Sequence, residues 1–296
     1  MGGDYKLPTV LLKRGFSLDT HIFRYKFDDF TVDKDGRYSE GYSYSELTGG
    51  NIWHSSVRGL NDPFELYFSP EKNDNPIENY EFYDIFRDEY LRRNALEPEW
   101  MVKKAFENVK EDFKKNVIKS VHNGKILDNY LKEVRERLAM ACFSERCDSR
   151  LMWGYYCKGL KGMCFVYNRQ KLIESGLNLR RVEYLDGKPE VNLVRHAYDY
   201  KFKKEMGALT AVTTHKHMEW KHECEYRSLM RINNEEGVIR NGFIYKLRHN
   251  CVDGVILGKM CGEELKTRVR KFARRNHIKV FMAGADLENY VVSIYQ

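Results

Sequence analysis

Apolar and polar positions follow two different periods along the chain. Short runs at 21–26 and 51–56 have the texture of half-buried strands. Between them lies a Gly-, Ser- and Asp-rich segment, 28–50, that reads as turns. Asp62-Pro63 favours a further turn. From about 76 to 140 the period becomes helical. Met101, Ala105, Phe106, Val109, Phe113 and Val117 recur at three- and four-residue steps, with Lys and Glu on the opposite face. This predicts a helix there, one near 79–94, and one over 126–139 after Asn123-Gly124. From 140 onward the pattern predicts strands at 140–144, 162–167, 181–184, 224–232, 242–247 and 252–257. A helix at 262–275 leads into a last strand at 278–283. The expected class is α+β: one domain over 1–296 whose split β core carries 76–140 as a helical insertion.

Composition narrows the picture. A chain of 296 residues buries about three-quarters of its unfolded surface and needs no staples to fold. With 16 Phe, 20 Tyr and 4 Trp it is too apolar to stay disordered. No apolar run approaches the roughly 18–20 residues a membrane span needs. The first fifteen residues lack a signal-peptide core, and Lys6 stands where a myristoylation pattern wants Ser or Thr. Seven cysteines without a CxxC pair point to buried thiols in a reducing compartment, hence the cytoplasm.

Three segments concentrate chemistry. In Glu219–Met230, strand alternation puts Glu223, Glu225 and Arg227 on one face, and Cys224, Tyr226 and Ser228 on the other. Three ionisable groups on one face must be paired, exposed, or gathered round a polar ligand. The structural alternative is an exposed face with a Glu225–Arg227 ion pair. In Cys142–Tyr156, a strand ends at Phe143-Ser144 and a polar turn leads into a helix carrying Leu151, Met152, Trp153 and Tyr156. The aromatic residues either form a slot for a flat ring or simply pack helix on sheet. In Trp53–Glu65, Asn61 or Asp62 caps a short helix begun by Pro63.

Taken together, Asn61–Glu65, Cys142–Tyr156 and Trp220–Arg227 resemble, in order and spacing, a widespread bacterial family catalogued as a domain of unknown function. The resemblance spans roughly 20–260. The chain departs from the family pattern at Tyr155 and Leu160, where that pattern carries histidines. The family in turn looks like a divergent branch of the ADP-ribosyltransferases. That resemblance implies a split-sheet fold of that type and NAD as substrate. It implies Arg24 after Phe23 on the first strand for the pyrophosphate or ribose, and Ser55 or Ser144 beside the nicotinamide ribose. Glu225 would be the carboxylate that stabilises an oxocarbenium-like centre, with Glu223 acting on the acceptor. Tyr156 or Trp153 would stack on nicotinamide, with His54 a competing candidate for the site.

The other signals are fewer. His215, His217, His222 and Cys224 match no standard zinc spacing, so no metal is expected. No P-loop or dinucleotide glycine fingerprint is present. Residues 263–275 hold six cations, Lys266, Arg268, Arg270, Lys271, Arg274 and Arg275, against two Glu. They form either a solvated helix face or a phosphate-backbone contact surface. Two functions stand against each other. One is an NAD-dependent ADP-ribosyltransferase modifying a macromolecule, nucleic acid favoured over protein. As a toxin or phage-defence effector it would have a neutralising partner protein. The other is a non-catalytic nucleic-acid or protein-binding module; a metal-dependent nuclease is a distant third.

Overall fold

The computed structural model describes residues 5–32, 34–35, 38–39, 41–70, 79–122, 138–192, 212–231 and 241–296. The chain divides into two compact units. The first comprises 1–61, 137–184 and 218–296; the second comprises 62–136 and 185–217.

The first unit is mixed α/β, built on a ten-stranded sheet. Its strands are His21–Phe27 (β1), Asn51–Ser56 (β2), Leu138–Ser144 (β3), Gly162–Asn168 (β4), Leu179–Arg181 (β5), Glu225–Arg231 (β6), Gly242–Lys246 (β7), Val252–Gly258 (β8), Lys279–Asp286 (β9) and Val291–Tyr295 (β10). The continuous path is β7-β2-β3-β1-β4-β8-β9-β10, and β6 pairs with β3 and β5. All pairings are antiparallel except β8 with β9. Those two strands are joined through the helix Glu263–Arg275 and form a βαβ unit.

The sheet is forked at β3. One edge of β3 pairs with β6 along its whole length, from Leu138↔Arg231 to Ser144↔Glu225. The other edge meets β2 near its start, Met140↔Ser55 and Ala139↔Ser56, and β1 only at its end, Ser144↔Phe23. The two neighbours therefore diverge from one strand within a single ten-stranded mixed sheet, where the sequence pattern predicts a split β core.

Alternation sorts the core into two layers. Ile22, Phe165, Tyr167, Val255 and Leu257 face one way. They pack with Tyr44 and Leu47 of Tyr42–Gly49 (α1) and with Leu265, Val269 and Ala273 of the βαβ helix. Phe23, Tyr25, Cys164, Val166, Ile256 and Phe281 face the other way, against Met152, Trp153 and Cys157 of Arg150–Cys157. That second helix starts where Ser149 accepts a hydrogen bond from the Met152 amide, an N-cap, and it ends at Lys158 in the left-handed conformation. In the second unit, Asn79–Arg93 (α2) packs on Glu99–His122 (α3) through Phe86, Phe106 and Phe113, with Phe86 5.3 and 5.5 Å from the other two rings. Further helices among the described residues are α4 (Arg150–Cys157), α5 (Arg169–Glu174) and α6 (Glu263–Arg275), besides the single helical turn Thr9–Leu12.

Several expectations shift. Of the helix expected at 126–139, residues 126–137 lie outside the described residues, while Leu138 and Ala139 begin β3. The strand expected from 224 begins at Glu225, because Cys224 has φ +44° and Met218–Glu223 is a 3-10 turn. Helices α1 and α5 and strand β10 were not anticipated. Among the described residues, which include all seven cysteines, there is no disulfide, and no helix is long and apolar enough to cross a membrane.

Asp253 on β8 knots the sheet to α5. It accepts from Lys171 Nζ (2.6 Å) and Asn168 Nδ2 (3.1 Å), and His21 Nε2 lies 3.4 Å away. Partial burial alone would raise its carboxyl pKa, but hydrogen bonds from His21, Lys171 and Asn168 outweigh that and hold it below the usual carboxylate range. A depressed native pKa means the unfolded chain takes up the proton first. Asp253 therefore stabilises fully above its unfolded value near pH 4 and less as pH falls toward its native value. Asp253→Asn is expected to lower the melting temperature at pH 7, and the gap from wild type should narrow progressively below about pH 4. Melts run across that range check it; a gap independent of pH contradicts it.

Candidate functional site

Three distant segments meet in one hydrogen-bonded chain. Asn61 Nδ2 donates to Tyr156 Oη at 2.8 Å, and Tyr156 Oη donates to Glu223 Oε1 at 2.7 Å. Asn61 is exposed, Tyr156 half-buried and Glu223 buried, so the relay runs inward from the surface. Burial and the neighbouring Glu223 carboxylate push the Tyr156 phenol up, so it stays a donor at all ordinary pH. Ser144 fixes the backbone beneath: its Oγ donates to the Glu223 carbonyl (2.6 Å) and accepts from the Arg146 amide (3.0 Å). Glu145 N bonds the Cys224 carbonyl at 2.9 Å, so the end of β3 clamps the turn that presents Glu223.

Glu225 lies next to this relay with a different role. Arg227 donates from Nε to Oε1 (2.9 Å) and from Nη2 to Oε2 (3.2 Å), a fork in which both carboxylate oxygens are engaged. The pair is buried, Glu225 at 3% and Arg227 at 0% exposure. An exposed ion-paired face, the structural alternative read from the sequence, is thus half right: the pair exists, inside the protein. Tyr184 Oη accepts from the Glu225 amide at 2.8 Å and fixes the strand start.

Arg24 is elsewhere. Phe23 pairs with Ser144 and Ser144 with Glu225, so those three share a face, and Arg24, one residue along, points to the opposite one. There Arg24 Nε meets Glu46 Oε1 at 3.1 Å, its Nη2 donates to the Trp53 carbonyl at 2.8 Å, and its guanidinium lies over Phe143. It thereby ties β1 to β2 across the fork, while its buried Nη1 has no hydrogen-bond partner among the described residues. Glu46 also accepts from Lys26 Nζ (3.0 Å) and Tyr167 Oη (2.8 Å). Burial would raise its pKa, but Arg24 and Lys26 lower it further. His54 shares this face. Burial first, and then the Arg24 charge, pull it down to about 3, so it is neutral, with Nε2 3.2 Å from Ser228 Oγ and its ring stacked on Phe243.

The expected constellation of Arg24, a serine and Glu225 is therefore not brought together. Ser55 pairs with Met140, four residues from Ser144 along β3, so it lies about 13 Å along the strands and two strands across from Glu225. Its Oγ donates to the Ser56 carbonyl. Ser144 is near Glu225 but its hydroxyl is taken up by backbone. Trp153 is 1% exposed, its indole N–H bonded to the Cys147 carbonyl (2.9 Å) and its ring edge-on to Tyr25 (5.4 Å). It packs helix on sheet and offers no open ring face. Tyr156 meets Glu223 through its hydroxyl, not through stacking.

A pocket of about 270 Å³ lies on the same unit, lined by Arg146, Asp148, Ser149, Arg150, His222 and Val292 among others. His222 Nδ1 lies 2.9 Å from the Glu219 carbonyl, which can only accept, so Nδ1 carries the proton. Its Nε2 is buried without a hydrogen-bond partner among the described residues. Sequence reasoning missed Glu46, Lys26 and Tyr167, and gave Asn61 no chemical role: the short helix that Asn61 or Asp62 would cap is a turn over 63–66. The charged pattern of β1, with Arg24 and Lys26 two apart on one face, was the available signal for a buried carboxylate opposite. Burial pushes the Cys147, Cys157 and Cys164 thiols well up and Cys261 up to about 11, which removes them as thiolate nucleophiles. Among the described residues no group of three or more His, Cys, Asp or Glu is placed to hold a metal.

Residues 152–228 are similar to the family described as "Protein of unknown function (DUF2971)". That span includes Tyr156, Glu223, Glu225 and Arg227 and leaves out Arg24, Asn61 and α6. No curated protein and no solved structure matches the chain significantly.

On α6 the six cations divide. Lys266 pairs with Glu263 (2.7 Å) and bonds the Lys259 carbonyl, and Arg268 pairs with Glu264. Leu265, Val269 and Ala273 form the buried stripe, so Arg270, Lys271, Arg274 and Arg275 are left on the exposed side.

Proposed function

We propose that the protein is an NAD-dependent ADP-ribosyltransferase that modifies a macromolecule, nucleic acid in preference to protein, with Glu223 as its working carboxylate. The observation that carries this is the Asn61–Tyr156–Glu223 relay, in which the three segments that resemble the transferase-like family converge on one carboxylate. Glu225, the residue the resemblance implies, has both oxygens engaged by Arg227 and serves the strand. In the reaction the bond between the nicotinamide nitrogen and ribose C1′ breaks, and nicotinamide leaves with the electron pair. The acceptor's nucleophilic atom bonds C1′ and gives up its proton to Glu223. Until then the ionised Glu223 stabilises the positive charge developing at C1′, and Tyr156 fixes its rotamer. Arg150 and Arg146, the latter paired with Asp148, line the pocket that includes His222, next in sequence to Glu223, and take over the anion-holding role that the resemblance implies for Arg24. At about 270 Å³ that pocket holds part of the dinucleotide. Arg270 and Arg274, exposed cations of α6, support nucleic acid as acceptor.

The test incubates the protein with adenylate-labelled NAD and, in parallel, RNA, single-stranded DNA and lysate protein. Label on nucleic acid with nicotinamide release is the expected result. Tyr156→Phe removes one hydrogen bond to a charged group and is expected to cut the rate about 10–100-fold. No label on any acceptor, no nicotinamide and no NAD binding overturns the reading.

A second reading is a non-catalytic nucleic-acid or protein-binding module. It is favoured by Arg24–Glu46 and Glu225–Arg227, which account for the implied catalytic charges as buried pairs of the fold. It predicts oligonucleotide or protein binding with no affinity for NAD.

A further inference from the structure

The C-terminal half of α6 does not present its cations to open solvent alone. Arg270 and Arg274 form one wall of a groove of about 330 Å³ whose other lining includes Arg14, Lys279 and Gln296, over a floor of Ala273, Ile278 and Val280. Four cationic side chains line it, and no acidic side chain does among the described residues. The chain brings them together from three places: the turn after the helical segment Thr9–Leu12, the exposed face of α6, and the first residue of β9.

These cations are also available. Arg274 makes no ion pair or hydrogen bond among the described residues, and Arg270 reaches only Met282 Sδ at 3.7 Å. Arg14 donates to the Gln296 side-chain carbonyl, and Lys279 donates to the Arg14 carbonyl and lies over Phe16. Each of these two is positioned by a neutral oxygen and makes no ion pair among the described residues. The contrast with Lys266 and Arg268 on the same helix is direct, since both of those have carboxylate partners. Four like charges along one groove repel one another, and an anionic ligand relieves that repulsion.

We infer that this groove seats the phosphodiester backbone of a single-stranded nucleic acid, with Arg270, Arg274, Arg14 and Lys279 each reaching phosphate oxygens. Guanidinium forks match a phosphate's paired oxygens. A concave, positively charged track suits a flexible single strand that can thread it. The inference rests on the nucleic-acid half of the function proposed above and not on its transferase half. Of the six α6 cations read from the sequence it keeps two, and it adds two that lie far away in the chain.

Binding of a labelled oligothymidine of about 15 residues, a length chosen from the usual footprint of single-strand binders, is measured without NAD across a salt series. The Arg270→Gln/Arg274→Gln double variant removes two phosphate contacts. At about 0.7 per contact the slope of log affinity against log salt is expected to fall by about 1.4, and the affinity by about 25-fold near 0.1 M salt. Lys271→Gln/Arg275→Gln removes the same charge from α6 outside the groove and is expected to cost under threefold. All four positions are exposed, so the variants fold. Equal losses in the two double variants overturn the inference, because a diffuse basic surface then does the binding. So does a wild-type protein that ignores the oligonucleotide but binds vesicles of phosphatidylcholine and phosphatidylserine. Oligonucleotide binding that survives in a protein with no transferase activity leaves the groove standing and removes only the enzyme reading.

Discussion

Glu225→Gln is expected to destabilise the protein by about 3–5 kcal/mol, a fall in melting temperature on the order of 10 °C, whatever it does to activity. The glutamine cannot accept two charge-assisted hydrogen bonds, so Arg227, a guanidinium at 0% exposure, loses the bidentate carboxylate that Glu225 supplies. The cost is that of weakening the compensation of a buried cation rather than the net worth of the pair. Replacing both partners with apolar residues, Glu225→Leu with Arg227→Met, is therefore expected to recover most of the loss. Thermal melts of the single and double variants read this directly; a single variant that melts within a degree of wild type would sink it. The consequence for function is practical. Loss of NAD binding in Glu225→Gln does not separate a missing catalyst from a weakened fold, although Glu225 is the position that the sequence resemblance selects.

The reason lies in what a sequence pattern can and cannot carry. Strand and helix periods are local, and β1, β2, β4, β8, α2 and α6 were legible from them within a few residues. Helix α1 was not, because Gly41, Ser43, Ser45 and Gly49 make Tyr42–Gly49 look like turn. Burial of Tyr44, Leu47 and Glu46 decides it instead. The charge phase within β6 was also legible: Glu225 and Arg227 do share a face. Extending that phase back to Glu223 failed at Cys224, whose left-handed φ turns the chain out of the strand. The relation of Arg24 to Glu225 is different in kind. It depends on the pairing Phe23↔Ser144↔Glu225 across three strands, and one step of register decides which face a side chain takes. Nothing local to either segment records it. The three segments that carry the family resemblance did converge, through Asn61, Tyr156 and Glu223.

Glu223→Gln is expected to cut the transfer rate by about 10²–10³, the usual loss when a group that stabilises transition-state charge is removed, while leaving the melting temperature within about 2 °C. Unlike Glu225, Glu223 accepts from a neutral phenol, and glutamine keeps an acceptor oxygen for Tyr156 at nearly the same place. The Tyr156 bond therefore survives the substitution, and a lost rate with an unchanged melt separates chemistry from fold. The split between parameters is diagnostic: a carboxylate that meets charge only as the glycosidic bond breaks lowers kcat and leaves the NAD dissociation constant within about threefold. Arg24→Gln supplies the opposite signature. Its side chain joins β1 to β2 through the Trp53 carbonyl and neutralises Glu46 on the other face of the sheet, so it should lower the melting temperature and spare kcat per folded molecule. Should Arg24→Gln abolish turnover in folded protein while Glu223→Gln retains it, the working site lies on the Arg24 face, and the relay is a structural hydrogen-bond chain.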